Sequence, residues 1–314
     1  VNLDDGPQKQ VIDENIRFEK YLSNQWEQNL KDSPIFASLL GNKNFNQDIT
    51  SNSIEEFVKN KAKLNKDLIN LNSFNYEKLN SDNKLNYKLK RISLNNSIEA
   101  AQYPSYYMSL NQRGGVQSYY ETGDRLVYES KQDYEDWLIR LSKYADNIAN
   151  TKTNVEEGLE KGYTQPQLVT RQVILQIDNI LNSEIEDNPY LKIFLTADNS
   201  FFNEGEKEDL INRATLLIKS QIIPAYVDLN NFLKNTYLPN SRSSIGLNGV
   251  PEGDKWYEYA ARYHTTTDLT PDEIHDIGGS DGAILKKLNL KQKKYFFYDP
   301  DFYNNNLGKK RYKK

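Results

Sequence analysis

The segment Arg262-Tyr263-His264-Thr265-Thr266-Thr267-Asp268-Leu269-Thr270-Pro271-Asp272-Glu273-Ile274-His275 concentrates the reactive residue types of this chain. It holds both histidines of the 314-residue sequence. A helical zinc site needs two histidines four residues apart, so that both imidazoles leave one face. His264 and His275 are eleven apart with Pro271 between them, so they cannot form that pair on one helix. Cysteine is absent, which excludes disulfides and thiolate metal sites. Thr270-Pro271-Asp272-Glu273 has a simpler reading: a capping box with proline at the first helical position and two acids against the helix dipole. Arg262, His264, Thr265, Thr266 and Thr267 remain as a polar cluster. They form either a cleft edge that receives a ligand or a set of internal bonds to neighbouring carbonyls.

A second candidate is Asn111-Gln112-Arg113-Gly114-Gly115, which follows the tyrosines at 103, 106 and 107. Paired glycines permit close backbone approach, and Asn and Gln can bond an extended peptide. The competing reading is a tight turn between helices. No G-x-S-x-G elbow, phosphate loop or EF-hand spacing occurs, and the acidic patches at 184–187 and 204–209 read as solvated surface.

The elements that would position these residues are helical. Tyr134, Trp137, Leu138, Leu141, Ala145 and Ile148 form one apolar stripe of a helix. Val169, Val173, Ile177, Ile180 and Leu181 repeat it, as do Phe18, Leu22, Trp26 and Leu30. Ser33-Pro34 and Ser53-Ile54-Glu55-Glu56 are start signals, and Gly41 is a stop. Pro224, inside an apolar pattern from Leu216 to Leu233, predicts a kink or a break. The best strand candidate is 243–250. The fold class is therefore mainly α: an irregular multi-helix array with one or two short β-strands.

Three regions are expected: a loose N-terminal arm over 1–10, a helical region over 11–285 and a basic tail over 286–314. The tail carries ten Lys and Arg against two acids, about +8, within a chain whose net charge is −4. This balance argues against a nucleic-acid binder, and the tail reads as a solvated segment. Abundant Tyr (22) and Phe (12) argue for a packed core under a polar surface. No apolar run approaches the ~20 residues needed to span a bilayer. Val1 is not an initiator methionine, as in a mature or trimmed chain.

An ordered set of segments resembles the DUF885 family, bacterial proteins similar to zinc metallopeptidases of the gluzincin type. It comprises the Tyr21 to Gly41 block, Leu85-Asn86-Tyr87, Leu110-Asn111-Gln112 with Gly114-Gly115, and Asp133-Tyr134-Glu135-Asp136-Trp137. Pro224-Ala225-Tyr226, Tyr237-Leu238-Pro239, Ser244-Ile245-Gly246-Leu247 and Arg262 to Gly278 complete it. The resemblance covers roughly 15–278 and implies the N-terminal half of a largely helical protein. The family's His-Glu zinc motif, ending in Pro-Gly-His-His, is absent from this sequence, which departs from the pattern after Gly278. Truncation, frameshift and internal deletion are the explanations left open. The resemblance implies one wall of a peptide-binding cleft, with Asn111, Gln112, Gly114, Gly115, Arg262, His264, Thr265, Thr266 and Thr267 facing a peptide or protein segment. Zinc is expected only in full-length relatives, and this chain alone is expected to be inactive. The alternative is a non-enzymatic helical binding or scaffold module. The family favours an exported or cell-envelope lipoprotein, with the cytoplasm left open. A half-protein would also expose apolar surface that favours self-association.

Overall fold

The computed structural model describes residues 13–278, almost wholly as helix. The expected arm over 1–10 and basic tail over 286–314 lie outside the described residues. The chain divides at Ile245 and Gly246 into two compact units.

The first unit opens with α1 (Glu14–Asp32), α2 (Pro34–Leu39), α3 (Ile54–Asn72) and α4 (Ser81–Ala100). Asp13 caps α1 by accepting from the N–H groups of Asn15 and Ile16. Pro34 opens α2, and Gly41 follows it in the left-handed region at φ 82°. Ser33 occupies the cap position of α2 without a side-chain bond. Ser53 Oγ accepts from Glu56 N–H at 3.3 Å and starts α3. Phe18, Leu71, Leu79, Tyr87 and Leu94 form a small core of their own. Each such side chain contributes roughly 1.5–3 kcal/mol on burial.

The larger core is built by α6 (Lys131–Ser142), α7 (Tyr144–Glu160), α8 (Gln167–Leu181) and a long helix over 206–240, with α5 (Tyr120–Arg125) and α9 (Pro189–Leu195) packed alongside. The stripe expected as one helix over 134–148 is two helices. Lys143 N–H bonds back to Arg140 O at 3.1 Å, which tightens the last turn of α6 and restarts the helical frame. Tyr144 is consequently buried, whereas Ala145 is only partly so.

The long helix joins α10 (Glu206–Leu217), α11 (Ile223–Phe232) and α12 (Leu238–Asn240) through two π-helical turns, Ile218–Ile222 and Leu233–Tyr237. Pro224 does not break it. Pro224 and Pro239 each stand just after one of the widened turns. A proline lacks the N–H, and its ring crowds the carbonyl one turn back. Widening the turn before it opens the hydrogen-bond ladder where that crowding would occur.

No extended strand forms among the described residues, only isolated bridges pairing Asn111 with Gly114 and Pro166 with Arg242. The stretch expected as a strand over 243–250 instead holds a 3-10 turn at Leu247–Gly249. Gly253 sits against that turn so closely that a Cβ would collide with the Leu247 carbonyl. In the second unit α13 (Gly253–Thr265) and α14 (Pro271–Gly278) follow. No helix among the described residues is long and apolar enough to cross a membrane.

Candidate functional site

Asn111 and Gly114 exchange both backbone bonds, Asn111 N–H to Gly114 O at 3.1 Å and Gly114 N–H to Asn111 O at 3.2 Å. Gln112 and Arg113 are the exposed tip of this two-residue turn. Asn111 Oδ1 accepts from Arg113 N–H at 2.9 Å and locks the tip. The tight-turn reading of this loop is therefore correct as geometry.

The turn is braced from below. Gln117, buried in the core, donates its amide to Asn111 O at 2.7 Å and to Gln176 Oε1 at 3.1 Å. Gln176 on α8 donates in turn to Gln112 O at 3.0 Å. Gly115 has φ 140°, and a Cβ there would lie 2.5 Å from Gln117 Oε1. Only glycine lets the backbone pass so close to that amide. Val116 O accepts from the buried Tyr226 hydroxyl, which also meets the Tyr190 hydroxyl at 2.6 Å. Burial raises both phenols well above their ordinary range, so both stay protonated at neutral pH. Above the brace, a Cβ at Gly114 would meet open space. The N–H groups of Gln112 and Gly115 have no acceptor among the described residues.

The second group lies in the second unit. Arg262, His264 and Thr265 form the last turn of α13, where the helix dipole favours cationic side chains. Thr266 ends the helix in the left-handed region at φ 55°, with its N–H on Arg262 O at 2.9 Å. Thr265 Oγ1 donates to Ala261 O at 2.7 Å and meets Thr267 Oγ1 at 3.2 Å, while Thr267 Oγ1 accepts from Leu269 N–H. Internal bonds thus engage the hydroxyls of Thr265 and Thr267 and the backbone N–H of Thr266. His264 is exposed, with its ring edge-on to Tyr263 at 5.1 Å. The capping box closes reciprocally: Thr270 N–H to Glu273 Oε2 at 2.8 Å, and Glu273 N–H to Thr270 Oγ1 at 3.2 Å. The Thr270 N–H and the Thr270 hydroxyl, both donating to the Glu273 carboxyl, hold it below its ordinary pKa. No group of three or more His, Cys, Asp and Glu that could hold a metal gathers among the described residues.

Sequence reasoning missed a third place. Arg140, Trp137 and Tyr128 wall a cavity of about 330 Å³. Arg140 is fully buried, yet its Nη2 alone is bonded, to Ser38 Oγ and Phe45 O, both at 2.8 Å. Its Nε and Nη1, Trp137 Nε1 and Tyr128 Oη have no partner among the described residues. The signal was present in the sequence: positions 137, 140, 141 and 144 are one helical face, and 140 is the charged member of it.

The family described as "Bacterial protein of unknown function (DUF885)" matches residues 34–289. Among curated proteins nothing matches. The fold is similar to the crystal structure of "the putative lipoprotein from Colwellia psychrerythraea", with a TM-score of 0.74 at 17% identity. That likeness covers 85% of this chain and 49% of the other, so the chain spans about half the length of that protein. The matched residues include the braced turn, the cavity and the whole 262–267 segment, and on that match the chain belongs to the DUF885 family.

Proposed function

We propose that this chain is a helical, peptide-holding part of a DUF885 protein, with the turn at Asn111, Gln112, Gly114 and Gly115 as its docking edge. The unpaired N–H groups of Gln112 and Gly115, on a turn braced by Gln117 and Gln176, carry this reading. Backbone donors fixed in place bind a peptide carbonyl with little further loss of conformational freedom. The segment from Arg262 to Thr267, in the second unit, is proposed separately as a polar edge; the hydroxyls of Thr265 and Thr267 already bond one another or the backbone. Peptide hydrolysis of the gluzincin kind needs two histidines four residues apart on one helix, which His264 and His275 are not, so this chain is assigned binding and not cleavage. The likeness to a protein described as a lipoprotein supports an exported or envelope location.

Amide chemical shifts recorded while a short extended peptide with blocked termini is titrated in will test the docking edge. Perturbations centred on 111–115 are expected. Perturbations confined elsewhere contradict the assignment and leave a scaffold module as the reading.

A further inference from the structure

We propose that the cavity walled by Arg140, Trp137 and Tyr128 binds a small carboxylate that carries an apolar tail. A buried guanidinium without a directly bonded counter-charge is costly unless something supplies the missing acceptor. Arg140 is such a group: fully buried, cationic, bonded through Nη2 only to a hydroxyl and a backbone carbonyl, with Asp48 and Asp136 acting on it without an ion pair. Burial lowers its pKa, but an arginine remains protonated at any physiological pH.

The acids of the protein do not serve it. Asp136 takes amide bonds from Gln47 and Gln132, each at 2.8 Å, on Oδ1. Asp133 is held by Lys43 at 2.9 Å, by the Glu129 N–H and by the Ser130 hydroxyl. Glu129 at the rim pairs with Lys43 at 3.0 Å, and Asp48 pairs with Lys143 at 2.8 Å. None of them forms an ion pair with Arg140. Trp137 Nε1 and Tyr128 Oη add two more unpaired polar atoms on the same wall, so acceptors are lacking in one place three times over.

The tail follows from the mouth. Leu39, Leu40 and Val127 line the cavity and are 48%, 54% and 72% exposed. A cationic floor beneath a mouth where these apolar side chains stand beside the paired charges of Lys43, Glu129 and Arg125 matches a carboxylate with a hydrocarbon end better than it matches phosphate. The unpaired nitrogens of Arg140 are closed off from solvent, so binding requires the cavity wall to open before a carboxylate reaches them.

Calorimetric titration of the full chain with hexanoate, hexan-1-ol and inorganic phosphate tests the proposal. Hexanoate is expected to bind one per chain, about tenfold or more tighter than the other two. Arg140→Met is expected to abolish this binding. Leu40→Trp, at a half-exposed position that does not threaten folding, is expected to block the mouth with the same result, and it decides the matter if Arg140→Met does not fold. Trp137→Phe is expected to weaken binding severalfold. Equal affinity for hexan-1-ol or for phosphate, unchanged hexanoate binding by Leu40→Trp, or no saturable hexanoate binding overturns the proposal.

Discussion

Gln117 and Gln176 meet amide to amide, Nε2 of the first lying 3.1 Å from Oε1 of the second. Gln176 passes the contact on to the Gln112 carbonyl at 3.0 Å. A solvent-facing turn is thereby fixed to α8 by side chains instead of by strand pairing. Two glutamines do here what a sheet would do elsewhere. This explains how a nearly all-helical chain presents a rigid backbone edge.

The tyrosine under the turn supplies the next test. Tyr226→Phe removes the hydroxyl that donates to Val116 O, which keeps only the Tyr119 N–H, and leaves the buried Tyr190 hydroxyl without its partner. The expected cost is about 1–3 kcal/mol in denaturant unfolding. Faster hydrogen exchange over 114–117 than over α4 would place the loss at the turn. An unchanged midpoint would mean that the bond contributes nothing.

Gly158 lies in the last turn of α7, where alanine ordinarily stabilises by up to about 1 kcal/mol. Here a Cβ would lie 2.7 Å from Tyr107 Cβ and 2.9 Å from the Tyr107 carbonyl oxygen. Backbone cannot yield as a flexible side chain can, so Gly158→Ala is expected to destabilise by about 1–3 kcal/mol. Thermal unfolding of that single variant reads the sign directly.

Asp133 links charge to pH. Burial pushes its pKa up, but Lys43, the Glu129 N–H and the Ser130 hydroxyl together outweigh burial and hold it below the ordinary value of 3.8. A carboxyl depressed in the folded state stabilises above its unfolded pKa, and that stability is lost as pH falls through the folded value. Asp133→Asn is therefore expected to cost about 2 kcal/mol at pH 7, from the lost charged hydrogen bonds. The gap between variant and parent closes progressively below about pH 4. A gap that is constant with pH would assign the cost to packing instead.

Much of the helical layout is written in local signals. Ser53, Thr270 with Glu273, Pro34 and Gly41 act within one turn of the chain, where a single sequence carries the whole interaction. The two helices at Lys143 were not legible, because apolar spacing of three and four survives a one-residue restart. At Pro224 the break did not occur, because a widened turn just before the proline accommodates it, and a single proline in the sequence does not announce such a turn. At the candidate site, the loop from Asn111 to Gly115 was legible from its glycines. Its braces, Gln117 and Gln176, are set 59 residues apart and are brought together only by tertiary packing. Residue type alone does not reveal that the hydroxyls of Thr265 and Thr267 are engaged with each other and with the backbone.

The most direct test of the docking edge is Gly114→Val. A Cβ at Gly114 meets nothing in the fold, so stability should change by less than about 0.5 kcal/mol. The added branch would occupy the space beside the Gly115 N–H that a peptide carbonyl would use. Binding of a short extended peptide with blocked termini, measured by calorimetry on parent and variant, is predicted to weaken about tenfold or more. Equal affinity in the two proteins would contradict the assignment of this turn as the peptide-holding edge.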